Sequence, residues 1–146
     1  MKVNLHAVAL NVADLEKSVE FYRGVFGFPV IGQRERATAL LVHENDGRQV
    51  VVLKEVGRPN AVHPGRGTIG LRVVGFEVGS LENLELIERE LEQREALLTH
   101  AHRETWEALL GTDPDRNEFV VASSLSGAPI SRDDWRNIDS MVFAFD

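Results

Sequence analysis

Apolar residues fall at every second position in Val8, Leu10 and Val12, with Ala9 and Asn11 between them. A period of two marks a strand with one face against a core. At Asp14 the period changes, and Leu15, Val19, Tyr22 and Phe26 fall on one stripe at helical spacing. Asp is a helix-capping residue type, and the Gly at position 27 suits a helix end. The pattern predicts a strand from about Val3 to Val12 running straight into a capped helix. The same arrangement returns 66 residues later, with Leu71 in the place of Leu5 and Glu82 in the place of Glu16. Val74, Phe76 and Val78 alternate as before, and Ser80 stands where Asp14 stood. A strand and capped helix repeated at about half the chain length imply two copies of one module.

Between the copies, residues 28–33, 37–43 and 48–56 read as further strands. Asn45-Asp46-Gly47 supplies a hairpin turn between the last two. Residues 57–67 hold two prolines and three glycines and read as the linker. Module one is expected over about 1–57, the linker over 58–67, module two over about 68–124 and an extension over 125–146. Module two predicts a strand over about 68–78 and a helix over 80–95 burying Leu81, Leu84, Ile87 and Leu91. Short strands follow over 97–99 and 107–112, with a last strand over 118–123. The glutamates of that helix read as a solvated face. In the extension, Ser131 can cap a short helix through Trp135. Met141-Val142-Phe143-Ala144-Phe145 is too apolar to remain free and should dock on this subunit or another.

Composition narrows the partners. The 146 residues carry a formal net charge of −7, which disfavours nucleic acid and anionic membrane as partners, since both attract basic surfaces. There is no Cys, so disulfides and thiolate chemistry are excluded. No apolar run approaches the roughly 18 residues of a membrane span. The first residues lack the pattern of a signal peptide, and a cytoplasmic location is the expectation.

Two motifs carry a resemblance. Val12-Ala13-Asp14-Leu15-Glu16-Lys17-Ser18-Val19-Glu20-Phe21-Tyr22 with Phe26-Gly27-Phe28, and the turn Asp113-Pro114-Asp115-Arg116-Asn117, resemble signatures of the vicinal oxygen chelate superfamily. This is the glyoxalase, bleomycin-resistance and extradiol-dioxygenase group, and Arg116 stands where it usually has Gly. The resemblance covers about residues 3–124. It implies an α+β fold of two tandem βαβββ modules, forming a curled mixed β-sheet around a central cavity with helices outside.

The resemblance also implies where a metal would be held. The superfamily's metal enzymes place one ligand, usually His or Glu, on the first and last strand of each module. Counting from the motifs, those positions are Ala7, Val51, Val73 and Val120. All four are apolar and offer no donor atom, so neither a metal nor another cofactor is expected. His6 neighbours Ala7, but alternation turns it to the opposite face. His100 and His102, with Glu104 after them, could form an atypical pair, though an exposed strand end explains them too. His43 and His63 read as solvated loop residues.

Strand parity gives the expected cavity face: Leu5, Ala7, Ala9 and Asn11; Gln49, Val51 and Leu53; Leu71, Val73, Gly75 and Glu77; Glu118, Val120 and Ala122. Small residues in the middle leave volume, and Asn11, Gln49, Glu77 and Glu118 place polar groups at the ends, as small-molecule sites require. Trp106 and Trp135 are the aromatic candidates for stacking. The leading expectation is a metal-free protein sequestering an apolar or aromatic ligand in the inter-module cavity, like the superfamily's drug-binding, antibiotic-resistance members. The alternative is an enzyme of the lyase, isomerase or dioxygenase type. It would use Glu77 or Glu118 as general acid or base, or a non-standard metal site. A closed-core interaction module is a further possibility. Homodimerisation is expected, because edge strands and the apolar tail need covering.

Overall fold

The computed structural model describes residues 1–43, 48–57, 62–63 and 69–143, and only the backbone of 141–143. The expected hairpin turn at 44–47, most of the linker and residues 144–146 lie outside them. The chain forms two compact units, Met1–His63 and Pro64–Asp146.

The first unit holds β1 (Ala7–Val12), α1 (Leu15–Phe26), β2 (Val30–Arg34), β3 (Ala37–His43) and β4 (Gln49–Glu55). Its sheet order is β1-β4-β3-β2. β1 runs parallel to β4, and the other pairs are antiparallel. The second unit holds β5 (Val74–Glu77), α2 (Leu81–Gln93), β6 (Leu97–His102), β7 (Trp106–Thr112) and β8 (Glu118–Ser124), followed by α3 (Arg132–Phe143). Its order, β5-β8-β7-β6, and its pairing directions are the same. The sequence repeat is thus a repeated βαβββ topology, and the chain is an α+β protein of two four-stranded mixed sheets and three helices.

The helix ends follow from local chemistry. Asp14 accepts a hydrogen bond from the Lys17 amide at 3.1 Å, and Ser80 accepts one from the Asn83 amide at 3.1 Å. Each such cap is worth about 1 kcal/mol. Gly27 takes the left-handed conformation (φ 73°) and donates its amide to the Arg23 carbonyl, closing α1. The Glu55 carboxylate at the end of β4 accepts the Leu15 amide at 2.9 Å, which ties the last strand of module one to the start of its helix.

Several boundaries differ from expectation. β1 begins at Ala7 and β5 at Val74, so Leu5 and Leu71 precede their strands and are largely exposed. The buried side of α1 is Ser18, Phe21, Tyr22 and Val25, rotated from the expected stripe. Phe26 lies at its flank, stacked on Phe28 at 5.0 Å. In α2, Leu84, Ile87 and Leu91 are buried as expected, while Leu81 is half-buried. β6 is longer than expected, and α3 extends well past Trp135.

Candidate functional site

In module one, the β1–β4 register decides which residues share a face. Leu10 pairs with Leu53 and Val8 with Val51, while Ala7, Ala9 and Asn11 pair with Val50, Val52 and Lys54. Leu10, Val12, Thr38, Leu40, Val51 and Leu53 are buried. They lie on the side from which Glu55 reaches α1. Gln49, Val51 and Leu53 were expected on the face of Ala7, and this is corrected. They alternate onto the α1 side, with Gln49 at its exposed end. A position counted from the 44–47 turn is open to a slip of one residue, and such a slip moves every side chain to the other face.

The opposite face carries Ala7, Ala9 and Asn11 from β1, Val50, Val52 and Lys54 from β4, and Ala37, Ala39 and Leu41 from β3. Ala7, Ala9, Asn11 and Lys54 are exposed, and the others are half-buried. This is an open, small-residue, apolar face with an amide and an ammonium group adjacent at one end. Val50, Val52, Lys54 and the β3 residues were missed from sequence. Following β1's own alternation across a parallel pairing would have found them.

Module two has the same register, with Gly75 paired to Val120 and Glu77 to Ala122. Gly75 therefore corresponds to Ala9, and Val120 to Val52. Here the β7 and β8 part of the face is covered, while Gly75 and Glu77 on β5 remain exposed. Trp106, Ala108, Leu110, Val120 and Ala122 form one core cluster with Ile130 and Ile138 of the C-terminal extension, and Val73, Ala101 and Trp135 pack against it. The Trp135 ring lies 3.9 Å from where a Gly75 Cβ would stand. Trp106, a candidate for ligand stacking, is only 1% exposed and belongs to this core. Trp135 docks α3 on the sheet of its own module. The reason is hydrophobic: the extension carries Ile130, Trp135 and Ile138 on the side that meets the sheet, and burying them removes the apolar area of both.

The two candidate carboxylates are engaged in holding this unit together. Glu77 accepts the Ile130 amide, which fixes the start of the extension, and Glu118 forms an ion pair with Arg72. No signal in the sequence joined Arg72 to Glu118. Ser131 accepts the Asp134 amide at 3.1 Å as the cap of α3, and Thr105 donates to the Asp134 carboxylate at 2.8 Å.

The turn motif is structural. Asp113, 5% exposed, accepts the amides of Asp115 and Asn117 and the Asn117 side-chain amide, each at 2.9 Å. Arg116 takes φ 66°, the left-handed conformation that explains why Gly suits this position.

The four expected ligand positions do not fit a metal. With the register corrected, the module-one position is Val52, and Ala7, Val52, Val73 and Val120 supply no donor. Among the described residues, no group of three or more His, Asp or Glu is arranged to hold a metal ion. His6 is exposed, and its backbone carbonyl accepts the Val50 amide. His100 and His102 bond to carboxylates on neighbouring elements, Glu88 and Glu107, and Glu104 plays no part in these bonds. A groove of about 570 Å³ runs along α1 past Val19, Arg23, Phe28 and Pro29, and none of the candidate residues lines it. Among the described residues, no helix is long and apolar enough to cross a membrane.

Paired βαβββ modules with this strand order define the glyoxalase fold. Residues 4–121 match the family model of the Glyoxalase/Bleomycin resistance protein/Dioxygenase superfamily, and the chain belongs to that superfamily. A catechol-2,3-dioxygenase of Bacillus subtilis (strain 168) is 29% identical over 124 residues, 85% of this chain. The chain spans only 42% of that relative's length. A glyoxylase/bleomycin resistance protein/dioxygenase domain from Frankia sp. EAN1pec superposes with a TM-score of 0.72 at 19% identity, covering 88% of this chain and 96% of that one. The fosfomycin resistance protein FosX of Mesorhizobium loti superposes with a TM-score of 0.63 at 14% identity, covering 84% and 92%. At these identities the structural likenesses establish the fold alone.

Proposed function

We propose that this protein binds a mostly apolar, aromatic small molecule without a metal and does not transform it. The observation that carries the reading is the open face of module one. Ala7, Ala9, Ala37, Ala39, Val50 and Val52 form an apolar floor of small side chains, with Leu41 beside Val50 at its far end. Asn11 and Lys54, adjacent in register, stand at one end to orient a polar or anionic substituent. Glu77 and Glu118 are already engaged in module two. The chain supplies its own example of what such a face accepts. At the matching place in module two, the edge of the Trp135 indole comes within 3.9 Å of where a Gly75 Cβ would stand. Each buried methylene-sized contact is worth about 0.8 kcal/mol, so a ligand making several reaches roughly micromolar affinity. The lack of donors at Ala7, Val52, Val73 and Val120 supports metal-free binding. The protein acts as a homodimer in this reading, as members of the superfamily often do.

The likeness to a catechol-2,3-dioxygenase favours a second reading, an enzyme. It would need chemistry from residues other than the four ligand positions. One experiment separates the two. Purified protein is examined by mass spectrometry for a carried small molecule, and a bound aromatic acid is incubated and recovered. Recovery unchanged, with binding lost in Ala9→Leu while circular dichroism is preserved, supports binding. Recovery of an altered molecule, with the alteration lost in Ala9→Leu, establishes the enzyme instead.

A further inference from the structure

β6 is the edge strand of the second sheet. On it, His100 pairs with Leu109 and His102 with Glu107, which turns both imidazoles to the side of the sheet that α2 covers. His100 is held from both sides. Its Nδ1 lies 2.7 Å from Oε1 of Glu88 on α2, and its Nε2 lies 3.0 Å from Oε2 of Glu107 on β7. His102 Nδ1 lies 3.0 Å from the other oxygen of Glu107.

An ionised carboxylate only accepts hydrogen bonds. For His100 to bond to two carboxylates at once, both ring nitrogens must carry hydrogen, and the ring must be an imidazolium. A neutral imidazole has one N–H and can serve only one of the two. We propose that His100 is a proton-operated clasp that fastens α2 to the β6–β7 edge of the second sheet. With its proton it bridges Glu88 and Glu107, and without it one of these contacts opens. The clasp sits beside Ile87 and one turn before Leu91, the buried residues by which α2 seats on the sheet. Its loss therefore loosens the C-terminal half of the helix first.

The charged groups that face His100 are Glu88 from α2 and Glu107 from β7, with His102 sharing Glu107 from the same strand. Burial lowers the pKa of His100, but hydrogen bonds to Glu107 and Glu88, with their charges, outweigh it and raise it above 6.5. A raised folded-state pKa means that the contribution is fully present below the unfolded value. It is lost as pH rises through the folded value. The contact is partly solvated and weakens with salt.

The test is an NMR titration of the imidazole nitrogens in the full chain, with urea unfolding measured across the same pH range. The expected result is a doubly protonated His100 at pH 6, with a titration midpoint above 6.5 that falls in Glu88→Gln. Glu88→Gln should also reduce the fall in stability that wild type shows as pH rises through that midpoint, since only the Glu107 contact then remains, and His102→Gln should keep it. A single neutral tautomer at pH 6, a midpoint at or below 6.5, or an unchanged stability profile in Glu88→Gln would each overturn the proposal.

Discussion

Ile138→Ala tests whether α3 is an integral part of the second module. The side chain is 1% exposed and lies in the cluster with Trp106, Leu110, Val120 and Ala122. The substitution removes three carbon atoms, worth about 2.4 kcal/mol of transfer at ~0.8 kcal/mol for each methylene-sized group. The cavity left behind adds to this, because surrounding side chains relax only in part, and the total should fall near 3–4 kcal/mol. For a domain of ordinary stability that is a large fraction of the whole. Urea unfolding followed by tryptophan fluorescence is the suited assay, since both tryptophans of the chain belong to or pack against this cluster. Leu86→Ala, at a residue 53% exposed, is the control and should change stability by less than about 0.5 kcal/mol. A loss below about 1 kcal/mol in Ile138→Ala would refute the packing of α3 on the sheet. So would selective loss of amide protection in α3 at an unchanged global midpoint, because α3 would then be a separately opening segment.

Two further outcomes follow from the geometry. Gly111→Ala would bring a Cβ to 2.8 Å from the Phe119 ring and 3.2 Å from the Ala96 carbonyl. Overpacking of this kind should cost about 1–3 kcal/mol in a denaturation curve. Sedimentation at micromolar concentration should give about twice the 16.3 kDa of one chain, and a monomer would remove the dimer from the functional reading.

The fold was legible because its signals are local and repeated. The alternation of Val8, Leu10 and Val12 and the caps at Asp14 and Ser80 are written in adjacent residues, and the 66-residue offset confirms one copy with the other. The site was less legible because it depends on register. Counting from the 44–47 turn put Val51 and Leu53 on the face of Ala7 and Ala9, whereas the β1–β4 register turns them to the α1 side. The role of α3 was half legible. The docking expectation rested on Met141 to Phe145, whose side chains lie outside the described residues, whereas the residues that meet the sheet are Ile130, Trp135 and Ile138. Trp106 and Trp135 could equally have been core or ligand platform, since an indole suits both. The pairing of Arg72 with Glu118 spans 46 positions and leaves no local trace.

The two modules share a topology and a register, yet their surfaces differ. In module one, the places of Ala9 and Val52 lie on an open face. In module two, the matching Val120 lies within the core that Ile138 completes, while Gly75 stays exposed with the edge of the Trp135 ring beside it. In the superfamily's metal enzymes, as the resemblance has it, each module lends a ligand from its first and last strands. That arrangement requires the matching positions of both modules to carry donors and to remain accessible. Here Ala7, Val52, Val73 and Val120 carry no donor, and the extension packs on the part of the second face that includes Val73 and Val120. The two features are mutually consistent. Once Val73 and Val120 carry no ligand, an apolar helix can cover them at a gain in burial. Once they are covered, a polar donor there would cost about 1–3 kcal/mol in unsatisfied desolvation. Restoring a donor at one position, such as Val120→His, should therefore destabilise the module without creating a metal site.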